Sequence, residues 1–226
     1  MKNNAHSRPR APARHLPILA VLAASAALLA AGCGALPDKP SRATLYDFGP
    51  NLAAAAPAST NASALPPISL PEIDASMRLE GTQLLYRLGY ADANELHPYG
   101  QARWSLAPAQ LLHQRLRDAL AMRRTVLGPE ETATIARTEG RVPDTLRVSL
   151  DEFSHYFESP AKSVGLVRLR ATLIRSGSGG DRVLAQRGFA VQRPAPSPDA
   201  AGGVKGLAAA SDAAVAELVA WVDQVR

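Results

Sequence analysis

Two stretches in the second half of the chain alternate apolar and polar residues, which is the pattern of a half-buried β-strand. The first, TLRVSLDEF (145–153), loses phase near Asp151–Glu152, and a slip of one residue there predicts a β-bulge. The second, VRLRATL (167–173), is followed by SGSGGD (176–181), which predicts a flexible hairpin tip, and by the returning strand RVLAQRGFAVQ (182–192). The pattern predicts an antiparallel meander with one apolar face.

Two segments have apolar residues three and four positions apart, as amphipathic helices do. The first is APAQLLHQRLRDALAM (107–122), for which Ser105 is the expected N-cap, and the second is VKGLAAASDAAVAELVAWVDQVR (204–226). Strands followed by a helix, twice along the chain, predict an α+β fold. We expect a single domain in which a mainly antiparallel sheet is packed by these two main helices.

The first half of the chain carries weaker strand signals. ATLYDFG (43–49) predicts a short strand, and PNLAAAAPASTNASALPP (50–67) is a low-complexity insert of alanine, proline and serine, typical of a flexible excursion. An extended segment then leads to a turn at Glu80–Gly81 and to the strand TQLLYRLGY (82–90).

The N-terminus has the pattern of a bacterial secretion signal. A basic stretch without acids precedes a 16-residue apolar run, Leu16–Ala31, which is shorter than the roughly 20 residues a membrane-spanning helix needs. We therefore expect a signal peptide at 1–32, a lipidated tether at 33–42 and the folded domain at 43–226.

The tether begins at Cys33, the one cysteine of the chain. LAAGC resembles the lipobox of bacterial lipoproteins: the small pair Ala31–Gly32 is as expected, whereas Ala30 stands where leucine is usual. The resemblance implies cleavage before Cys33 and an anchor of diacylglycerol plus an amide-linked acyl chain such as palmitate, which is stable in a membrane. An ordinary signal peptide cut near a cysteine is the alternative. Gly34, where aspartate would favour the inner membrane, favours the outer membrane, with the domain on its periplasmic face.

The basic balance of the whole chain does not indicate a nucleic-acid partner. Four of the 25 basic residues lie in the predicted signal and no acid does, so residues 33–226 carry 21 bases and 20 acids, a net charge of +1. A mature domain of that charge lacks the basic excess typical of nucleic-acid binding.

No sequence motif for catalysis, metal binding or cofactor binding is evident. Asp151, Glu152 and His155 are close in sequence, but Asp151 and His155 share a strand face only if no bulge lies between them. His97 in an expected loop and His113 on the first helix have no ligand-type residue at useful spacing. We therefore expect no enzyme activity, metal or cofactor, and keep a periplasmic hydrolase using His155 with Asp151 as a weaker alternative.

Arg168, Arg170 and Arg175 point outward in the strand pattern and could form a basic strip for anionic lipid headgroups or an acidic partner. Alternating charge on a solvated sheet face explains them equally well. Trp104, just before the first helix, is a further candidate contact residue, although core packing accounts for it too.

The order of these parts resembles the auxiliary lipoprotein component of ABC-type transport systems, the family of the paraquat-inducible C lipoproteins. The lipobox cysteine is followed by LYDFG and by SLPEIDASMRLEGTQLLYRLGY. LHPYGQARWSLAPAQLLHQRLRDAL, with Arg103–Trp104, Pro108 and the leucine-rich helix, is the most specific part. The strands LRVSLDEF and VGLVRLRATLI and the alanine-rich C-terminal helix complete the order, while the insert at 50–67 and Ala30 depart from it.

The resemblance implies a docking or receiving component between the inner and outer membranes. Its partners would be a mammalian-cell-entry-domain protein and the ABC permease and ATPase of a lipid transport system, with a homo-oligomeric ring as one form of assembly. A structural or assembly lipoprotein of the outer membrane is the alternative from another class.

Overall fold

The computed structural model describes residues 42–50, 65–139, 142–177 and 179–225. The predicted signal peptide, Cys33 and most of the insert at 50–67 lie outside the described residues. Residues 42–226 form one compact unit. Its described elements are β1 (Thr44–Tyr46), β2 (Ile68–Ser69), β3 (Asp74–Ala75), a 3₁₀ turn (Met77–Leu79), β4 (Gln83–Leu88), β5 (Asp92–Trp104), α1 (Pro108–Ala121), β6 (Val126–Leu127), α2 (Pro129–Glu139), β7 (Asp144–Ser159), β8 (Lys162–Gly177), β9 (Gly180–Pro194) and α3 (Ala200–Gln224).

The three longest strands form the predicted meander. β7 pairs antiparallel with β8, and β8 with β9 through a tip at Gly177–Gly180. The register of β7 shifts between Leu150 and Glu152, so the predicted bulge is confirmed. The extra residue turns Phe153 inward after Leu150, which keeps both parts of a long strand packed against the same core.

The other edge of β7 is paired with parallel strands. β2, β3 and β4 run alongside it in turn, and β4 continues the sheet through β5 to β1. The nine strands of the described residues therefore form one mixed sheet in an α+β fold. β2, β3 and β6 have two residues each, too few to show a period of two.

Two local expectations were wrong. β5 is a continuous strand through Leu96–Trp104, so His97 lies in a strand that pairs with β4, because the antiparallel ladder overrides the turn tendency of Pro98 and Gly100. The N-cap of α1 is Ala107, not Ser105, since Pro108 occupies the first helical position.

The two main helices are otherwise close to their predicted bounds, and a third accompanies them. α3 begins four residues earlier than expected, because the side chain of Asp199 caps it by accepting a hydrogen bond from the Gly202 N–H at 2.7 Å. α2, Pro129–Glu139, has no counterpart in the expectations.

The core lies between the sheet and α1 and α3. α3 crosses β8 at very close range: a Cβ placed on Gly165 would lie inside van der Waals contact of the α3 backbone at Gly206 and Leu207. Its buried face is largely alanine, glycine and valine, so the close approach needs no large side chains. In the part of the chain described here, no helix is both long and apolar enough to cross a membrane.

Candidate functional site

On the side of β7, β8 and β9 that points away from the helices, the surface around Arg168, Arg170, Gly188 and Ala190 is exposed to solvent, and we call it the open face. Arg168 and Arg170 stand on it in β8, and both side chains are exposed. Their neighbours on β9 are small, because Ala190 pairs with Arg168 and Gly188 with Arg170. The two guanidinium groups are therefore accessible from the β9 side.

The bulge in β7 supplies the acid beside them. Asp151 accepts a hydrogen bond from Arg170 at 3.0 Å and another from the Ser149 hydroxyl at 3.3 Å. Arg78, from the 3₁₀ turn, donates to the Asp151 backbone carbonyl at 2.6 Å. The sequence grouped Asp151 with His155, but in the fold it belongs to the open face.

Glu152 is 8% exposed and is held by a two-pronged pair with Arg87 on β4. Arg87 donates through Nε at 3.2 Å and through Nη2 at 3.1 Å. Arg87 also donates to the carbonyls of Ala93 and Asn94, so its guanidinium ties the start of β5 to β7. Arg78 lies 3.9 Å from the same carboxylate. The sequence pattern did not single out Arg78 or Arg87. The alternation of the strand TQLLYRLGY could have indicated the face of the sheet on which Arg87 lies.

These groups surround a shallow basin of about 250 Å³ between β3, β7 and β8. Three arginines line it, Arg78, Arg168 and Arg170, against the two carboxylates Asp74 and Asp151. Arg78 and Arg170 are engaged as described above, whereas Arg168 has no ion-pair partner among the described residues. The basin therefore presents an excess positive charge of one, carried by an exposed and unpaired guanidinium.

Arg175 does not join the other two arginines. It lines a separate cavity with Leu173 and with Val222 of α3, on the helix side of the sheet. It donates to both carboxylate oxygens of Asp144, at 2.9 and 2.8 Å, and this hydrogen bonding raises the pKa of Arg175. Arg175 therefore does not share a face with Arg168 and Arg170, because it alternates in phase with Leu173 along β8 and so points to the helix side of the sheet.

Trp104 is a packing residue. It is 1% exposed and meets the rings of Phe48 and Phe153 edge-on, with centroids 5.7 and 5.5 Å away. The expectation that its side chain contacts a partner or lipid is not supported by this position, because the ring reaches no surface of the folded domain.

His155 lies on the opposite side of the sheet from Asp151. It is fully buried, shares a hydrogen bond of 2.9 Å between its Nδ1 and the Tyr99 hydroxyl, and packs against Gly203 of α3. Burial lowers the pKa of His155 to about 4 and raises the pKa of Tyr99. The two residues of the hydrolase alternative do not form a site together. No group of three or more His, Cys, Asp or Glu that could hold a metal occurs within the described ranges.

Comparison with known proteins identifies the family. The sequence model of the family described as ABC-type transport auxiliary lipoprotein component matches residues 46–220 of this chain. A crystal structure of the Xanthomonas campestris protein XCC0632, assigned to DUF330, has 21% sequence identity and a TM-score of 0.63, and the match covers 80% of this chain and 94% of that one. A hypothetical protein from Chlamydia trachomatis has 8% identity and a TM-score of 0.50, with 72% of this chain and 98% of that chain covered. The TM-scores show a shared fold, and at these sequence identities the similarity extends to the fold alone.

No curated protein matches the chain at a significant level. The family match spans more than half of the chain, from β1 into the last turns of α3. The chain belongs to the family of ABC-type transport auxiliary lipoprotein components.

Proposed function

We propose that this chain is an outer-membrane-anchored periplasmic lipoprotein that serves an ABC lipid transport system as its docking or receiving component. The match to the auxiliary lipoprotein family over residues 46–220 is the observation that carries the proposal. The partner would be a mammalian-cell-entry-domain protein, with the permease and ATPase of the same system supplying the energy.

The open face is the surface we propose for this docking. It presents exposed residues of β8 and β9, and exposed Arg168 stands in it without an ion-pair partner among the described residues. A partner that presents a carboxylate would gain a charge-assisted hydrogen bond there. Because the arginines are solvated, we expect them to affect the choice of partner and the association rate more than the stability of the fold.

The docking surface is tested by crosslinking in cells. A photoreactive amino acid replaces Ala190, on the open face, or Glu217, exposed on α3, as the matched control. We expect a cell-entry-domain protein to be captured from position 190 and not from 217. The charge reversal R168E should reduce this capture, whereas R182E, the same change at an exposed arginine near the hairpin tip, should not. Equal capture from both positions, or no effect of R168E, would contradict docking through the open face.

The anchor is tested separately by fractionation. Cys33→Ser should leave the domain folded and release it from the outer membrane, because the acyl chains supply most of the membrane affinity. A variant that stays in that membrane after a carbonate wash would show that the anchor is not at Cys33. Capture of an outer-membrane β-barrel in place of a cell-entry protein would favour the assembly role instead.

A further inference from the structure

The outer edge of β9 is an unpaired edge of the sheet. β9 pairs with β8 on one side, and no strand of the described residues pairs with its other side. Its register with β8 is unbroken from Ala185 to Pro194, whereas the pairing of β5 with β4 has two register shifts and includes Pro98. β9 is therefore an edge of regular geometry, to which an extended chain can add as a further strand.

The hydrogen bonds between β8 and β9 fix which residues of β9 face outward. The Ala195 N–H donates to the Ser163 carbonyl at 2.9 Å, and the residues of an antiparallel strand bond to the neighbouring strand alternately. In the unbroken part of the register, the N–H and C=O groups that point away from β8 are therefore those of Gln186, Gly188, Ala190 and Gln192. All four of these residues are exposed. They form a ladder of backbone groups that an added strand can complete.

The charges beside this edge favour an acidic occupant. β9 has no aspartate or glutamate from Arg182 to Pro194. Arg187 lies over the ring of Phe189 at 5.1 Å and, like Arg168 on β8, has no ion-pair partner in the part of the chain that the structure describes. A second copy of this chain would bring the same arginines to the edge, and like charges disfavour such pairing.

Two small residues leave the arginines of β8 within reach of an added strand. Ala190 pairs with Arg168 and Gly188 with Arg170, so nothing larger than a methyl group stands between these arginines and the edge. Two strand spacings of about 4.8 Å put an added strand roughly 10 Å from β8, a distance that extended glutamate and arginine side chains span together. A glutamate beside Ala190 can thus form a charge-assisted hydrogen bond with a guanidinium of β8.

We propose that the outer edge of β9 binds an extended acidic segment of a partner protein as an additional strand. The backbone of the segment pairs with the four outward residues, and its acidic side chains on the open face meet Arg168 and Arg170. The main-chain hydrogen bonds supply affinity, and the side chains select the segment. In naming a partner protein the proposal rests on the docking function proposed above. Its test uses a synthetic peptide and no partner protein, so either proposal can fail alone.

The test is the binding of short fluorescent peptides to the full-length chain in nanodiscs of zwitterionic lipid, followed by fluorescence anisotropy. One peptide alternates threonine with glutamate, and the matched peptide alternates threonine with glutamine. We expect the glutamate peptide to bind about tenfold more tightly, as one charge-assisted hydrogen bond implies. Hydrogen exchange followed by mass spectrometry should slow over residues 186–192 when this peptide is bound.

A proline at position 190 isolates the strand pairing. Ala190→Pro removes one outward N–H and none of the hydrogen bonds to β8, so the domain should stay folded and bind the glutamate peptide at least about tenfold more weakly. Ala190→Ser keeps that N–H and should bind like the native chain. Arg168→Gln should narrow the preference for glutamate over glutamine, whereas Arg182→Gln, at an exposed arginine outside 186–192, should keep it.

Three results would overturn the proposal. The first is equal binding of the two peptides by the native chain, and the second is an Ala190→Pro protein that binds like Ala190→Ser. The third is slow exchange over 186–192 without peptide that Ala190→Pro abolishes, because a second copy would then occupy the edge. If Ala190→Pro unfolds by circular dichroism, Arg168→Gln decides, and an unchanged preference for glutamate in that variant would contradict the proposed contact.

Discussion

Gly165 on β8 is the position where one added methyl group should cost the most. A Cβ there would overlap three backbone atoms of α3, at Gly206 and Leu207, and no rotamer change can relieve a clash with backbone. α3 would have to move away by roughly 1 Å, and a gap of that size forfeits a quarter to a half of the dispersion energy of the contacts it opens. With overpacking costs of typically 1–3 kcal/mol, we expect Gly165→Ala to lower the free energy of unfolding by about 3 kcal/mol.

The measurement is thermal unfolding followed by circular dichroism. For a domain of this size a loss of about 3 kcal/mol lowers Tm by roughly 6–12 °C. Gly100→Ala is the matched control: Gly100 lies in β5 with no atom within 4 Å of an added Cβ, so alanine should raise stability by about 0.5–1 kcal/mol. Gly206→Ala combined with Gly165→Ala should cost less than the sum of the single changes, because one helix displacement relieves both overlaps. A Gly165→Ala protein that melts with the native one would refute the close approach of α3 to β8.

Further predictions concern the buried charges and the buried histidine. The pKa of His155 is about 4 in the fold against an ordinary value of 6.5, so its stabilising contribution is fully present above pH 6.5 and is lost as the pH falls to 4. Over that interval native stability in urea should fall by on the order of 3 kcal/mol more than that of His155→Gln, and identical pH profiles would contradict the burial argument. Arg87→Ala removes the two-pronged partner of buried Glu152 and leaves only Arg78 at 3.9 Å, so a loss of about 2–3 kcal/mol in urea unfolding is expected. Arg170→Ala, at a pair whose arginine is 57% exposed, should cost less than about 1 kcal/mol, and equal losses in the two variants would argue against a difference in burial.

The meander and its bulge were predictable because the local alternation of apolar and polar residues indicates both. β7 and β8 alternate over long runs, and the phase slip at Asp151–Glu152 is visible in the residues themselves. The same holds for α1 and α3, whose apolar spacing persists over several turns. A signal summed over many residues outweighs the weak preference of any one of them.

The short elements and the open-face basin were not predictable in that way. β2 and β3 are strands because their backbones pair with β7, and two residues are too few to show the period of two that predicts a strand. Glu152 and Arg87 are 65 positions apart, so their pairing follows from the register of β4 on β7. The parallel ladder decided that pairing.

The sequence by itself determined the fold class, the meander with its bulge, the two main helices and the family resemblance that the comparison confirmed. Tertiary structure alone decided the contacts between distant segments, such as the pair of Arg87 on β4 with Glu152 on β7, and the meeting of Arg78 with Arg168 and Arg170 at the basin. The physical reason is that alternation and a visible phase slip specify the face on which a side chain lies within its own strand. Which strand lies beside it, and in which register, is set by residues far away in the sequence.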